Sequence, residues 1–218
     1  MSIGGERAEV FLGVMDQTDY FTLARAWTGL TDDEFFWEPT RDTWSVRRRA
    51  QCQTLSPFGA DDWVADFGPE PTPAPMTSIA WLAWHIGSVA SRLSEIDFMG
   101  GAQTLASGWT SPYLTHHSIF TSAHDAGAAF RDGWDALRAA IEARADDQLQ
   151  STSPDYSYAH APMKDGLCVL GPPGLHRPAT FFIARALNEI IHHSAQICTL
   201  RDLFAHRSVM PSRSVTDP

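Results

Sequence analysis

The chain has 218 residues and a mass of 24.1 kDa, enough for one domain whose core needs neither disulfides nor a structural metal to fold. Apolar residues make up 44% and charged residues 19%, which excludes wholesale disorder. Acidic side chains outnumber basic ones 26 to 16, a net charge of −10 with His neutral. Such a surface repels nucleic-acid phosphates and anionic lipids, so neither nucleic acid nor membrane is expected as a partner.

Four segments carry a helical period. The first runs from about Glu9 to Leu30, with Phe11, Val14, Met15, Thr18, Phe21 and Ala24 or Arg25 tracing one stripe. Thr31 with Glu34 forms a capping box for a short turn, TDDEFFW. An irregular insert, about 38–76, follows and ends in alternate prolines (Pro69, Pro71, Pro73, Pro75) that forbid a helix. The second helix starts at Thr77 or Ser78 and stops at Gly100-Gly101. Its apolar positions Ile79, Leu82, Ile86, Val89, Leu93 and Ile96 are spaced 3, 4, 3, 4 and 3, the seam of a helix packed in a bundle.

The third helix is capped by Ser122 and buries Phe130, Trp134, Leu137 and Ile141. The stretch from Pro162 to Pro178 reads as a turn-rich connection, and no glycine-rich phosphate loop occurs in it. The last helix, about Ala179 to Ala205, aligns Phe182, Ala186, Glu189, His193, Ile197, Leu200 and Phe204. No strand is convincing, LCVLG (Leu167 to Gly171) being the best candidate. The expected fold is therefore all-α, a four-helix bundle in one domain spanning 1–218, with long irregular connections and a flexible tail at about 207–218. No secretory or transit segment is visible, and the longest apolar stretch, Ser78 to Ala90, is too short to span a bilayer, so a cytoplasmic protein is expected. The odd count of widely spaced cysteines (Cys52, Cys168, Cys198) agrees with reduced thiols.

The seams contain residues that a core disfavours. His85 lies on or beside the stripe of helix two, three residues after Leu82. Glu189 and His193 are one turn apart on the stripe of helix four. An ionised Glu there costs several kcal/mol unless a cation or strong hydrogen bonds compensate it. A divalent metal would do so, with two imidazoles and one carboxylate leaving positions open for water or substrate. The residues leave alternatives: His85 as a hydrogen-bonded core histidine, Glu189 paired with Arg185, or His192 in place of His193. His116, His117, His124, His160, His176 and His206 are expected at the surface, and Cys198 in the core.

TSIAWLAWHIGSVASRL (Thr77 to Leu93), ALNEIIHHSAQICTLRDLF (Ala186 to Phe204) and GLTDDEFFWEPTRDTWSVRRR (Gly29 to Arg49) resemble segments of the DinB/YfiT-like superfamily of metalloenzymes. The last of these is similar to a Trp-rich, mycothiol-transferase-like branch. The resemblance implies a bundle that binds a divalent ion, zinc first and nickel or iron as alternatives, through one residue of helix two and two of helix four. The matching positions are His85, Glu189 and His193, with Glu189 standing where many members have His. Several members are S-transferases that use mycothiol, bacillithiol or glutathione. The implied activity is thus conjugation of an electrophile to a low-molecular-weight thiol held as a metal-bound thiolate. In that reading His192 shuttles the proton, Trp81 and Trp84 (with Trp44) line the mouth for the cosubstrate, and Arg47, Arg48 and Arg49 are candidates for recognising an anionic or sugar part of the thiol. The connection from Gly101 to Thr121 is a candidate lid. Bundles of this kind often present an apolar face, so a homodimer is a candidate assembly. The competing classes are a non-catalytic metal- or ligand-binding bundle and a metal-dependent hydrolase, the latter active without added thiol.

Overall fold

A computed structural model describes residues 5–55, 57–59, 61–86, 119–150 and 178–208. Helix α1 runs Glu6–Thr18, passes through a π turn at Asp19–Leu23 and resumes as Ala24–Trp27. A short α2, Asp32–Phe35, follows. The insert holds two strands, β1 (Val46–Arg48) and β2 (Trp63–Ala65), where none was expected. Helix α3 is described over residues 79–86. Then come α4 (Ala123–Glu142), α5 (Asp146–Gln150) and α6 (Ala179–His206). The architecture is all-α with one small antiparallel hairpin, and α1 packs against both α4 and α6. The proposed stop of helix two at Gly100-Gly101, the LCVLG segment and most of the candidate lid lie outside the described residues, as do His116, His117, His160, His176 and Cys168.

The π turn corrects the stripe of the first helix. Along α1 the buried residues are Ala8, Met15, Thr18, Leu23 and Ala26. The step of five from Thr18 to Leu23 is the signature of one extra residue in the turn. It rotates the following positions, so Phe21 is 72% exposed while Leu23 is fully buried. A strict 3.6 period cannot foresee this.

The expected caps form, and the positions of helix two beyond Ile86 lie outside the described residues. Ser122 accepts from Asp125 N and caps α4, which buries Trp134, Leu137 and Ile141. The Thr31–Glu34 capping box forms with both of its bonds. Glu34 also pairs with Arg201 of α6 at 3.1 Å. Arg201 Nη1 donates to the carbonyls of Arg25 (2.7 Å) and Thr28 (2.9 Å), satisfying groups that the end of α1 leaves open. The α1–α2 corner is thereby fastened to α6, the helix that carries two of the three site residues.

The insert fastens the third. Strands β1 and β2 pair in the register Val46↔Ala65, Arg47↔Val64 and Arg48↔Trp63. Just before β1, Trp44 bridges to Thr77, with Trp44 N donating to Met76 O (2.8 Å) and Ser78 N to Trp44 O (2.9 Å). Ser78 caps α3, its Oγ accepting from Trp81 N at 3.2 Å and lying 2.8 Å from Ser45 Oγ in the interior. The hub of this bracket is Asp66, whose side chain is fully buried. Its Oδ2 accepts from Ser45 N (3.0 Å) and Arg47 Nε (2.8 Å). Its Oδ1 accepts from Gln53 N (3.0 Å) and the Cys52 thiol (3.2 Å).

Candidate metal centre

His85 is in the described part of α3, one turn after Trp81; Glu189 and His193 are one turn apart in α6. On α6 the buried line is Ile183, Ala186, Leu187, Ile190, Ser194, Ile197 and Leu200. Glu189 and His193 flank that line instead of lying within it, with side chains 14% and 15% exposed. His85 is 29% exposed. The three thus meet at the rim of the core, each partly exposed.

Their ligand atoms converge. His193 Nε2 lies 3.2 Å and His85 Nε2 3.6 Å from the same carboxylate oxygen, Glu189 Oε2. One ligand atom from each residue lies within 4.8 Å of those of the other two. The imidazole planes are near perpendicular, 88° apart, with centroids at 4.7 Å. Zinc–nitrogen bonds of about 2.0–2.1 Å give a tetrahedral edge of about 3.3 Å, close to the 3.2 and 3.6 Å separations of the two imidazoles from Glu189 Oε2.

The hydrogen bonding around His193 points the same way. Its Nδ1 donates to Gln196 Oε1 at 2.6 Å, which places the proton on Nδ1. Nε2 then faces Glu189 Oε2, donating a second N–H to it in the metal-free chain and offering its lone pair to an ion in the loaded one. Donation of the far nitrogen to a polar partner is the usual support of a metal-ligating histidine. Gln196 went unnoticed in the sequence, although its position three residues after His193 was the available signal.

Glu189 is held as an anion. Hydrogen bonds from His193 and then His85, with the positive charge of Arg185, keep its carboxyl far below the usual carboxylate range against the opposing effect of burial. Arg185 Nη2 takes the other oxygen, Oε1, at 2.8 Å. The Arg185 pairing and the histidine cluster, posed from sequence as alternatives, exist together because each uses a different carboxylate oxygen.

The His85 ring is fixed by stacking. It lies parallel to the Trp81 indole, 10° off plane with centroids 5.0 Å apart. Trp81 Nε1 donates to Asp66 O at 2.7 Å, so the bracket reaches the site through this one side chain. Trp84 packs among Phe58, Phe67 and Trp81. Both tryptophans are buried, and Trp84 Nε1 has no hydrogen-bond partner among the described residues. Trp44 is buried against Trp81.

His192 is exposed and outside the cluster, its ring 4.8 Å from that of His193. His124 and His206 are exposed, and Cys198 is buried with its thiol pKa raised by desolvation. The arginine run is committed to the insert: Arg47 pairs with Asp66 and with Glu38 (3.1 Å), Arg48 with Asp62, and Arg49 donates to the carbonyls of Gly59 and Asp61. These bonds account for the basic run without a ligand.

An all-α fold with a His–Glu–His cluster of this geometry defines a class: helical proteins with a site fit to hold a divalent metal. The sequence model of the DinB superfamily matches residues 21–197, and the chain belongs to that superfamily. No curated protein and no solved structure matches the chain. Among the described residues, no helix is long and apolar enough to cross a membrane.

Proposed function

We propose that the protein is a divalent-metal-dependent S-transferase, joining a low-molecular-weight thiol, mycothiol or a similar one, to a small electrophile. The observation that carries this reading is the convergence of His85 Nε2, Glu189 Oε2 and His193 Nε2 at the rim of the core. Three protein ligands leave a coordination position for an exchangeable group, as catalytic sites do and closed structural sites do not. Zinc, with nickel or iron as alternatives, would supply Lewis acidity there and bring a thiol to its thiolate near neutral pH.

The remaining work belongs to the chain. Glu189, anionic and clamped by Arg185, supplies one negative charge in fixed orientation. Gln196 holds His193 in the ligating tautomer, and Trp81 holds the plane of His85. His192, exposed beside His193, carries the thiol proton to solvent. The wall formed by Trp81 and Trp84 excludes water on the apolar side.

The test is elemental analysis of untagged protein followed by turnover of a bimane electrophile with mycothiol, bacillithiol or glutathione. About one metal per chain is expected, with binding weakened by at least about 100-fold in His85→Ala and His193→Ala, and turnover that needs both metal and thiol. Unchanged turnover in His193→Ala, or a folded chain that takes up no metal, overturns the reading. A second reading, metal-dependent hydrolysis, rests on the same open position, which suits water as well as a thiol. Turnover without added thiol distinguishes it.

A further inference from the structure

Arg185 stands one turn before Glu189 on α6 and commits its Nη2 to Glu189 Oε1. A guanidinium carries five N–H donors in a planar fork, and the side chain is 38% exposed. Glu189 is its sole ion-pair partner among the described residues. The remaining donors have no ion-pair partner among the described residues and sit one turn from a ligating carboxylate.

Charge counting sharpens this. A divalent ion contributes two positive charges, Glu189 removes one and Arg185 restores one, the two imidazoles being neutral when they ligate. The loaded centre keeps an excess of two positive charges in a chain whose net charge is −10. In the metal-free protein Arg185 balances Glu189. Once an ion is bound, Glu189 is compensated twice, and the guanidinium becomes charge seeking an anion. A coordinated thiolate removes one unit and a single carboxylate the other; a phosphate dianion beside the thiolate would overshoot.

We infer that Arg185 is the specificity-determining residue of this site and selects a carboxylate held a few bonds from the metal-bound atom, carried by the electrophile where the thiol, like mycothiol, has no acid group. The inference rests on the metal-centre reading and narrows the ligand class beyond it. Glu189 is both the contact of Arg185 and a ligating residue, so the two binding points are separated by no more than a short aliphatic spacer. Arg185 thus does for the ligand what an anion clamp does elsewhere, giving orientation through a charge-assisted pair.

The experiment loads the full chain with cobalt(II) and titrates it with 3-mercaptopropionate, 2-mercaptoethanol and cysteamine, reading the thiolate-to-cobalt absorption band. Wild type is expected to bind the carboxylate-bearing thiol about tenfold more tightly than the neutral one, with the cationic one weakest. In Arg185→Gln the preference should fall to about threefold or less, with cobalt stoichiometry and affinity for 2-mercaptoethanol retained. Arg185→Met is measured alongside, so that the result does not hang on the folding of one variant. A chain that binds cobalt and thiols but shows no preference, or keeps it in both variants, overturns this inference and leaves the metal centre standing. A chain that takes up no cobalt overturns the metal centre and the inference with it.

Discussion

Asp66 offers the sharpest test of how the insert supports the site. Each of its oxygens accepts two hydrogen bonds, Oδ1 from Gln53 N and the Cys52 thiol, Oδ2 from Ser45 N and Arg47 Nε. In Asp66→Asn either orientation of the amide puts an NH2 group against two donors, so rotation does not relieve the clash. Arg47, only 11% exposed, keeps Glu38 but loses its buried partner. Removing one member of a buried, hydrogen-bonded ion pair costs about 3–5 kcal/mol. At this chain length each kcal/mol shifts Tm by about 2–4 °C, so a fall of about 6–20 °C is expected.

The assay is thermal and urea unfolding of the metal-free protein, with Arg47→Gln and the double variant completing a cycle. A second readout is metal affinity, because Asp66 O anchors the Trp81 indole that stacks on His85. It should fall about tenfold or more, the usual effect of loosening the support of a ligand. A loss of less than about 1 kcal/mol in Asp66→Asn, or singles that add without coupling, would refute the assignment of Asp66 as the hub.

Two further outcomes are expected. The Glu189 carboxyl lies far below the ordinary value of 4.5 in the folded chain, first because His193 and His85 hydrogen-bond it. A group with a lowered folded pKa contributes its full stability above the unfolded value and loses it as pH falls below that. Metal-free wild type should therefore lose its advantage over Glu189→Gln from about pH 4.5 downward, read as urea midpoints at pH 6 and pH 3; an unchanged difference between the two would count against the ion-pair geometry. The π turn is tested by Phe21→Ala, expected within about 0.5 kcal/mol of wild type, against Leu23→Ala, expected to cost about 2–5 kcal/mol. The reverse order would restore a regular helix through Thr18.

What the sequence determined was the part governed by neighbours along the chain. Caps at Thr31, Ser78 and Ser122 are local hydrogen bonds, and the apolar seams around Ile79, Trp134 and Ile197 follow from helical periodicity. The same periodicity set Glu189 and His193 one turn apart on a shared face and put His85 near the stripe of its own helix. Tertiary structure decided the rest. The hairpin exists because β1 meets residues 15 to 19 positions later in the chain, and because Asp66 gathers donors from Ser45, Arg47, Cys52 and Gln53. Short strands without alternation leave no periodic trace of such pairing. The π turn inserts one residue into the register of α1 and turns Phe21 outward, a choice made by what Leu23 and Ala26 can bury. Only packing of α3 on α6 brings His85 to Glu189 and divides the two carboxylate oxygens between the imidazoles and Arg185. Spacing along a helix fixes direction, while distance between helices is set by the side chains that fill the space between them.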